Sequence, residues 1–335
     1  MDNSSIFKAR LREGQKEGWL PAKEAALLSH FFHGYLEALQ EPTAREAASA
    51  WFTTFLTIVK AILHSPPRFQ PYHAAIRAPF DYYTFGNDFF RPLIDKKKST
   101  IVGRDHLNTI QKQLKDKHNV IFFANHQIEA DPQAISLLLD DHYPGFAEKT
   151  IFVAGERVVT DPLAIPFSLG RHLLCIYSKR YIDHPPEKKS EKQLHNKRTM
   201  ELMSLLLKEG GKSIYVAPSG GRDRRNAEGV VEVAPFDPDS IAMFYLMAKK
   251  SGTPTHFYPM ALVTYAILPP PETVQVELGE KRTSGRAPVH LAIGPSLDMD
   301  HVPHAAPRDK HALRAHRSQY IWGEVNRQYQ ALLLR

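Results

Sequence analysis

Three short stretches of this chain carry side chains suited to moving a proton or gripping an anion. In NHQIEAD (125–131), His126 precedes Asp131 by five positions. On a helix that spacing would set the two about 140° apart, too far to share a face; in a loop they can meet. There, a carboxylate bonded to one ring nitrogen fixes the tautomer and supports the imidazolium that forms as the other nitrogen takes a proton. Histidine has nearly the right pKa to activate a hydroxyl, which is a poor nucleophile until a base removes its proton. Such a pair serves attack by an alcohol on a thioester without a covalent intermediate, with His126 as general base and Asp131 orienting it. Asp131-Pro132 is also a good helix start, aspartate as N-cap and proline at the first helical position. The two roles are compatible, and Glu129 between them is expected to be exposed.

The second stretch is APSGGRDRR (217–225). Gly220-Gly221 lets the backbone turn sharply and approach a ligand. Arg222 and Arg224 stand at alternate positions, so in an extended segment they point to one side and can converge on a phosphate, while Asp223 faces away. The third is Tyr177-Ser178-Lys179-Arg180. Either basic element alone reads better as a solvated loop. Together, each beyond a predicted strand and alongside His126, they form a phosphate pocket.

The elements that would position these residues are short apolar runs alternating with helical ones. Predicted strands are 119–124, 150–155, 172–178, 212–218 and 256–265, rich in β-branched and aromatic residues. Predicted helices lie between them at 132–140, 193–209 and 239–250, the second ended by Gly210-Gly211. This is an α/β pattern: a mixed, mostly parallel sheet flanked by helices. Ligand sites in such sheets gather beyond the carboxyl ends of the strands, where all three stretches fall. From Pro21 to Ser65 the apolar residues instead recur three and four apart, as two helices, the second opened by a capping box of Thr43 and Glu46 and stopped by Pro66-Pro67. The expected organisation is a small helical bundle over 1–75 and an α/β catalytic domain over 76–335.

The chain has 335 residues, a hydrophobic fraction of 43% and a charged fraction of 24%, ordinary for a globular protein and unlike a disordered or fibrous one. Its net charge is +7, and residues 171–225 hold thirteen Lys and Arg against six Asp and Glu, an excess as large as that of the whole chain. The single cysteine, Cys175, rules out an internal disulfide and is expected to be buried. Four histidines near the C-terminus (301, 304, 311 and 316) lack tight ligand spacing, so no metal is expected, and the segment leads into a last helix. No uninterrupted apolar run reaches about 18 residues and MDNSSIFKAR lacks the apolar core of a secretory signal. A soluble location is expected, cytoplasmic as in bacteria rather than plastid stroma, with at most peripheral membrane contact.

Taken together, NHQIEAD, VAGERVVTDP, IPFSLGRHLLCIYSK and APSGGRDR resemble the soluble, plastid-type glycerol-3-phosphate 1-acyltransferases and their bacterial relatives. The resemblance runs in order from about residue 119 to 271, through EVAPFDPDS (232–240) and HFYPMAL (256–262), and the N-terminal bundle agrees with that family's two-domain architecture. It implies that His126 takes the proton of the sn-1 hydroxyl of glycerol 3-phosphate, oriented by Asp131, to give a 1-acyl product. Arg222 and Arg224 fall on the family's phosphate-binding arginines. Arg180 falls where the plant proteins carry lysine, with Lys179 beside it. Tyr181 stands where those proteins have histidine, which keeps a hydrogen-bond donor but no positive charge. Gly155 and Arg157 belong to the site edge, or Arg157 pairs structurally with an acid such as Glu156. The implied donor is an acyl thioester of acyl carrier protein or coenzyme A, with no cofactor. The local basic excess would speed encounter with an acidic carrier. Two rival readings are an acyltransferase for another acceptor such as lysophosphatidate, against which the GGRDR form argues, and a non-enzymatic basic module for nucleic acid or anionic membrane. No nucleic-acid partner is expected on the favoured reading.

Overall fold

In the computed structural model, residues 3–179, 182–271, 279–303 and 309–335 are described. The N-terminal helical pattern folds as α1 (Asn3–Lys16), α2 (Ala22–Ala38) and α3 (Pro42–His64). Helix α3 starts at Pro42 with Glu41 before it and no side-chain cap, so the capping box expected at Thr43 and Glu46 is not formed. Proline's fixed φ starts the helix instead. Among the described residues α3 is the one helix long and apolar enough to cross a membrane by length and composition. It packs as a core helix: Phe52, Phe55 and Val59 have no exposed surface.

Helix α4 (Tyr82–Phe90) follows, then α5 (Arg104–Lys115), α6 (Asp131–Leu139), α7 (Phe146–Lys149), α8 (Ile165–Ser168), α9 (Lys189–Glu209), α10 (Pro238–Ser251) and α11 (Lys310–Leu333). The strands are β1 (Tyr72–His73), β2 (Thr100–Val102), β3 (Asn119–Ala124), β4 (Ile151–Gly155), β5 (His172–Ile176), β6 (Ser213–Val216), a short β7–β8 pair (Arg224–Arg225 and Val231–Glu232), β9 (Thr255–Val263) and β10 (His290–Ile293). Eight of them form one sheet in the order β1-β5-β4-β6-β3-β9-β10-β2. Only β1 with β5 and β10 with β9 run antiparallel; the other neighbours are parallel. The mixed, mostly parallel sheet expected from the sequence is therefore present.

The central strand β3 is buried at every residue. Val120, Phe122 and Ala124 face one apolar cluster, Ile121 and Phe123 the other, which is why its sequence is a continuous apolar run rather than an alternating one. Because β3, β4, β5, β6 and β9 are mutually parallel along this part of the sheet, the segments leaving them emerge at one edge. Aromatic rings join the bundle to that body. The Phe52 ring lies 5.0 Å from Phe89 of α4 and the Phe55 ring 5.0 Å from Phe167 of α8, so the apolar cluster crosses residue 75.

Candidate active site

His126 leaves β3 in a loop whose side chains alternate. Asn125 and Gln127 turn into the fold and His126 turns out, its side chain 30% exposed. The Asn125 amide accepts from Leu262 N–H at 2.7 Å and donates to Leu262 C=O at 3.0 Å. The Gln127 carbonyl oxygen accepts from the N–H groups of Thr264 and Tyr265 at 2.7 and 3.0 Å. The buried Tyr215 hydroxyl donates to Asn125 C=O at 2.6 Å. Two amides flanking the histidine thus fasten its backbone to the exit of β9 and leave the imidazole facing the sheet edge.

His126 Nδ1 lies 2.7 Å from Asp131 Oδ2. That oxygen also accepts from Gln127 N–H at 2.8 Å and Ile128 N–H at 3.3 Å, while Oδ1 accepts from the Thr264 hydroxyl at 2.6 Å. Four donors around a carboxylate with no exposed surface hold it in one position and make Nδ1 the protonated nitrogen of a neutral imidazole. Nε2, bound to none of the described residues, is then free to accept a proton. Asp131 is the first residue of α6, the N-cap is Ala130, and no side chain caps the helix. The carboxylate turns back over the loop, so the helix-cap reading of Asp131 gives way to the dyad.

Beyond β6, Gly220 takes a φ of +64°, and nothing lies within 4 Å of the Cβ position of Gly220 or Gly221. Glycine here makes the turn and leaves space beside it. Arg222 donates to Glu280 at 2.6 Å. Burial opposes its charge, but the bond to Glu280 and the field of Glu129 hold its pKa above the ordinary arginine value. Arg224 is depressed, first by burial and then by the charge of Arg222 beside it. Its buried Nη1 has no partner among the described residues. Asp223 faces the other way, fully buried. Its N–H donates to His126 C=O at 2.6 Å, and its carboxylate accepts from Asn125, Gln127 and Ala234 N–H at 2.8, 3.3 and 3.0 Å.

Glu129 is not exposed as expected. It makes a two-pronged pair with the buried Arg282 at 2.9 and 3.2 Å, and Arg282 reaches Asp161 at 3.4 Å. Lys179 is 64% exposed and pairs with Asp237 and Asp239 at 3.1 and 3.3 Å, at the start of α10. Asp237 N–H in turn donates to Pro218 C=O beside the arginine loop. Arg180 and Tyr181 lie outside the described residues. Arg157 lies in the helical turn Glu156–Val159 that follows β4 and accepts at its carbonyl from Asp161 N–H. Arg171, counted above in the basic stretch, is buried and donates to Ser136 and Asn87, its pKa lowered to about 10 by burial. Asn125, Gln127, Thr264, Glu280 and Arg282 were not singled out from the sequence, and Asp223, expected to face away from the arginines and doing so, was given no role there. Of these, only the amides flanking His126 and the acid between the two arginines stood inside the motifs quoted above.

The acyltransferase family profile matches residues 101–263, the span from β2 to the end of β9. Glycerol-3-phosphate acyltransferase, chloroplastic, of Arabidopsis thaliana is 38% identical over 96% of this chain and 71% of its own length. The chloroplastic glycerol-3-phosphate acyltransferase of Pisum sativum is 36% identical over 98% of this chain and 73% of its own. Among solved structures, the 1-acyl-sn-glycerophosphate (LPA) acyltransferase PlsC of Thermotoga maritima superposes with a TM-score of 0.42 at 20% identity, over 76% of this chain and 79% of that one. The bacterial, cytoplasmic location expected from the sequence is contradicted: these relatives, which match 96–98% of this chain, are named as chloroplastic.

Proposed function

This chain belongs to the glycerol-3-phosphate acyltransferase family, and on that footing we propose that His126 and Asp131 carry the acyl transfer and that Arg222 and Arg224 hold the acceptor's phosphate. The family transfers an acyl group to glycerol 3-phosphate, a step of phospholipid synthesis. With the phosphate on the arginines, a hydroxyl of the three-carbon chain meets His126 Nε2. The base takes its proton, and the oxygen attacks the thioester carbonyl. As the tetrahedral adduct collapses the C–S bond breaks, and the leaving thiolate takes the proton back from the imidazolium. Asp131 keeps Nδ1 protonated throughout and supports the transient positive charge. The products are the 1-acyl ester and free thiol.

One observation carries this reading. The loop bearing both arginines is bonded to the loop bearing His126, Asp223 N–H to His126 C=O at 2.6 Å, with Arg224 Nη1 buried and without a partner among the described residues. A buried guanidinium nitrogen lacking an acceptor is matched by a phosphate oxygen. Arg222 would exchange Glu280 for substrate, and Lys179 would leave Asp237 and Asp239 to join the rim beside Arg180. The acyl donor is a thioester of acyl carrier protein or coenzyme A, either of which brings a phosphate to a basic rim. Incubating the purified chain with labelled glycerol 3-phosphate and palmitoyl or oleoyl thioesters on each carrier tests the reading. A labelled 1-acyl product is expected; its absence with both carriers rejects it.

A further inference from the structure

We propose that Asp223 is a positioning residue that sets the distance from the phosphate-binding arginines to His126, and so decides which acceptor hydroxyl is acylated. The proposal deepens the reading above and rests on it. Asp223 lies between Arg222 and Arg224 in the chain, yet every hydrogen bond that it makes toward the catalytic loop falls on three consecutive residues there. Its N–H meets His126 C=O, and its Oδ2 meets the side chains of Asn125 and Gln127. The opposite oxygen accepts from Ala234 N–H, which fixes the carboxylate from behind. The tie is short and has no intervening residue.

A fold has no need of a charge at this position. Among the described residues no Lys, Arg or His nitrogen comes within 4.0 Å of the Asp223 carboxylate, although the residue has no exposed surface. Burial pushes its carboxyl up to about 6, against the bonds from Ala234, Asn125 and Gln127, which hold it down. Such a group is costly where packing is all that is required.

Glycerol 3-phosphate explains what it secures. The acceptor offers two adjacent hydroxyls, at successive carbons from the phosphate, that differ in reach by about one C–C bond, some 1.5 Å. It has no apolar bulk by which a pocket could grip the correct one. Discrimination therefore falls on the separation between guanidinium groups and Nε2, and an error of about 1 Å can cost about a hundredfold in rate. A direct tie between the two loops holds that separation.

The test is the ratio of 1-acyl to 2-acyl product, quenched early enough to precede acyl migration, in Asp223→Asn. Asparagine keeps the shape but turns one acceptor into a donor, so it faces either Ala234 N–H or the two amides with a hydrogen. The expected result is a kcat lowered about 10- to 100-fold, a KM for glycerol 3-phosphate within a few-fold because both arginines remain, and a 2-acyl share rising from trace to a substantial fraction. A folded variant with the wild-type ratio overturns the proposal. If Asp223→Asn does not fold, Gln127→Met loosens the tie from the other side, taking away its 3.3 Å bond and the amide that accepts from Thr264 and Tyr265 N–H while the bonds to Asn125 and His126 C=O remain; it is read by the same ratio, with the same two outcomes. Asp223→Glu keeps both acceptors on a longer arm and is expected to restore rate in part while leaving the ratio disturbed. Failure of the underlying reading looks different: wild type then makes neither product, which rejects both.

Discussion

At the scale of single residues, the dyad and the arginines divide the work between rate and binding, and kinetics should separate them. His126→Ala removes the base, and Asp131→Asn turns an amide N–H toward the N–H groups of Gln127 and Ile128 that now donate to it. Both should lower kcat by about 10²–10⁴-fold while glycerol 3-phosphate binding, measured calorimetrically, stays within a few-fold. Arg224→Ala should do the reverse, raising KM by about 10- to 100-fold through a lost charge-assisted bond, with kcat nearly unchanged. Equal effects on both constants in all three variants would sink this division. Asp223 adds a signature in stability. Its carboxyl is raised from 3.8 to about 6, so the folded state binds that proton more tightly than the unfolded chain does. The stabilisation from protonating it is complete below about pH 4 and is lost as pH rises through about 6, an effect of about 3 kcal/mol at most. In urea unfolding at pH 4 and pH 7, the stability difference between wild type and Asp223→Asn should shift in wild type's favour at the lower pH. A difference independent of pH would show that the carboxyl is not raised.

Secondary elements bring these residues together, and what could be read of them in advance follows their sequence range. β3 was legible because a strand buried on both faces is an uninterrupted apolar run, and the predicted 119–124 coincides with Asn119–Ala124. The His126–Asp131 pair was legible because five residues separate the partners. Glu129 and Arg282 are 153 residues apart and Asn125 and Leu262 are 137 apart, so no local pattern marks those contacts. β2 and β10, of three and four residues, are too short to show a period; β10 takes its place antiparallel to β9, and β2 lies parallel to β10 at the sheet edge. Helix α4 was hidden for another reason: it is packed by an intruding backbone. A Cβ on Gly170 would lie 2.3 Å from Tyr83 N and 2.5 Å from Tyr82 C. Next to it, Arg171 bridges Asn87 of α4 and Ser136 of α6, the helix that begins with Asp131. Gly170→Ala must therefore push α4 away from this contact. The expected cost is about 1–3 kcal/mol, read as a lower midpoint in urea, with a fall in kcat as α6 shifts beneath the dyad. Wild-type stability in that variant would mean that the close approach is not real.

Across the whole molecule, the N-terminal helices and the sheet share one aromatic core, and this bears on whether they unfold together. Phe52 of α3 meets Phe7, Phe31, Phe32, Tyr35 and Phe89, with ring centroids 5.0–5.4 Å away. Phe89 in turn lies 4.9 Å from Phe167, ahead of β5. Interlocked rings of this kind bind elements more tightly than a polar interface between separable units, where relative motion is the default. Phe52→Ala would open a cavity shared by α1, α2, α3 and α4, at a cost of about 3–5 kcal/mol. The loss should reach the active site, because α4 is tied through Asn87 to Arg171 and so to α6. Three tryptophans make this measurable: Trp19 and Trp51 lie in the N-terminal segment, and Trp322 in α11 donates to Val233 C=O at 3.2 Å on the far side of the sheet. Trp322→Phe leaves only bundle reporters, and Trp19→Phe with Trp51→Phe leaves only the α11 reporter. Urea transitions of the two proteins should coincide, and Phe52→Ala should move both to lower denaturant by the same amount. If the bundle reporters alone move, the helices unfold as an independent unit and the ring contacts between α3 and α4 do not couple them to the catalytic loop.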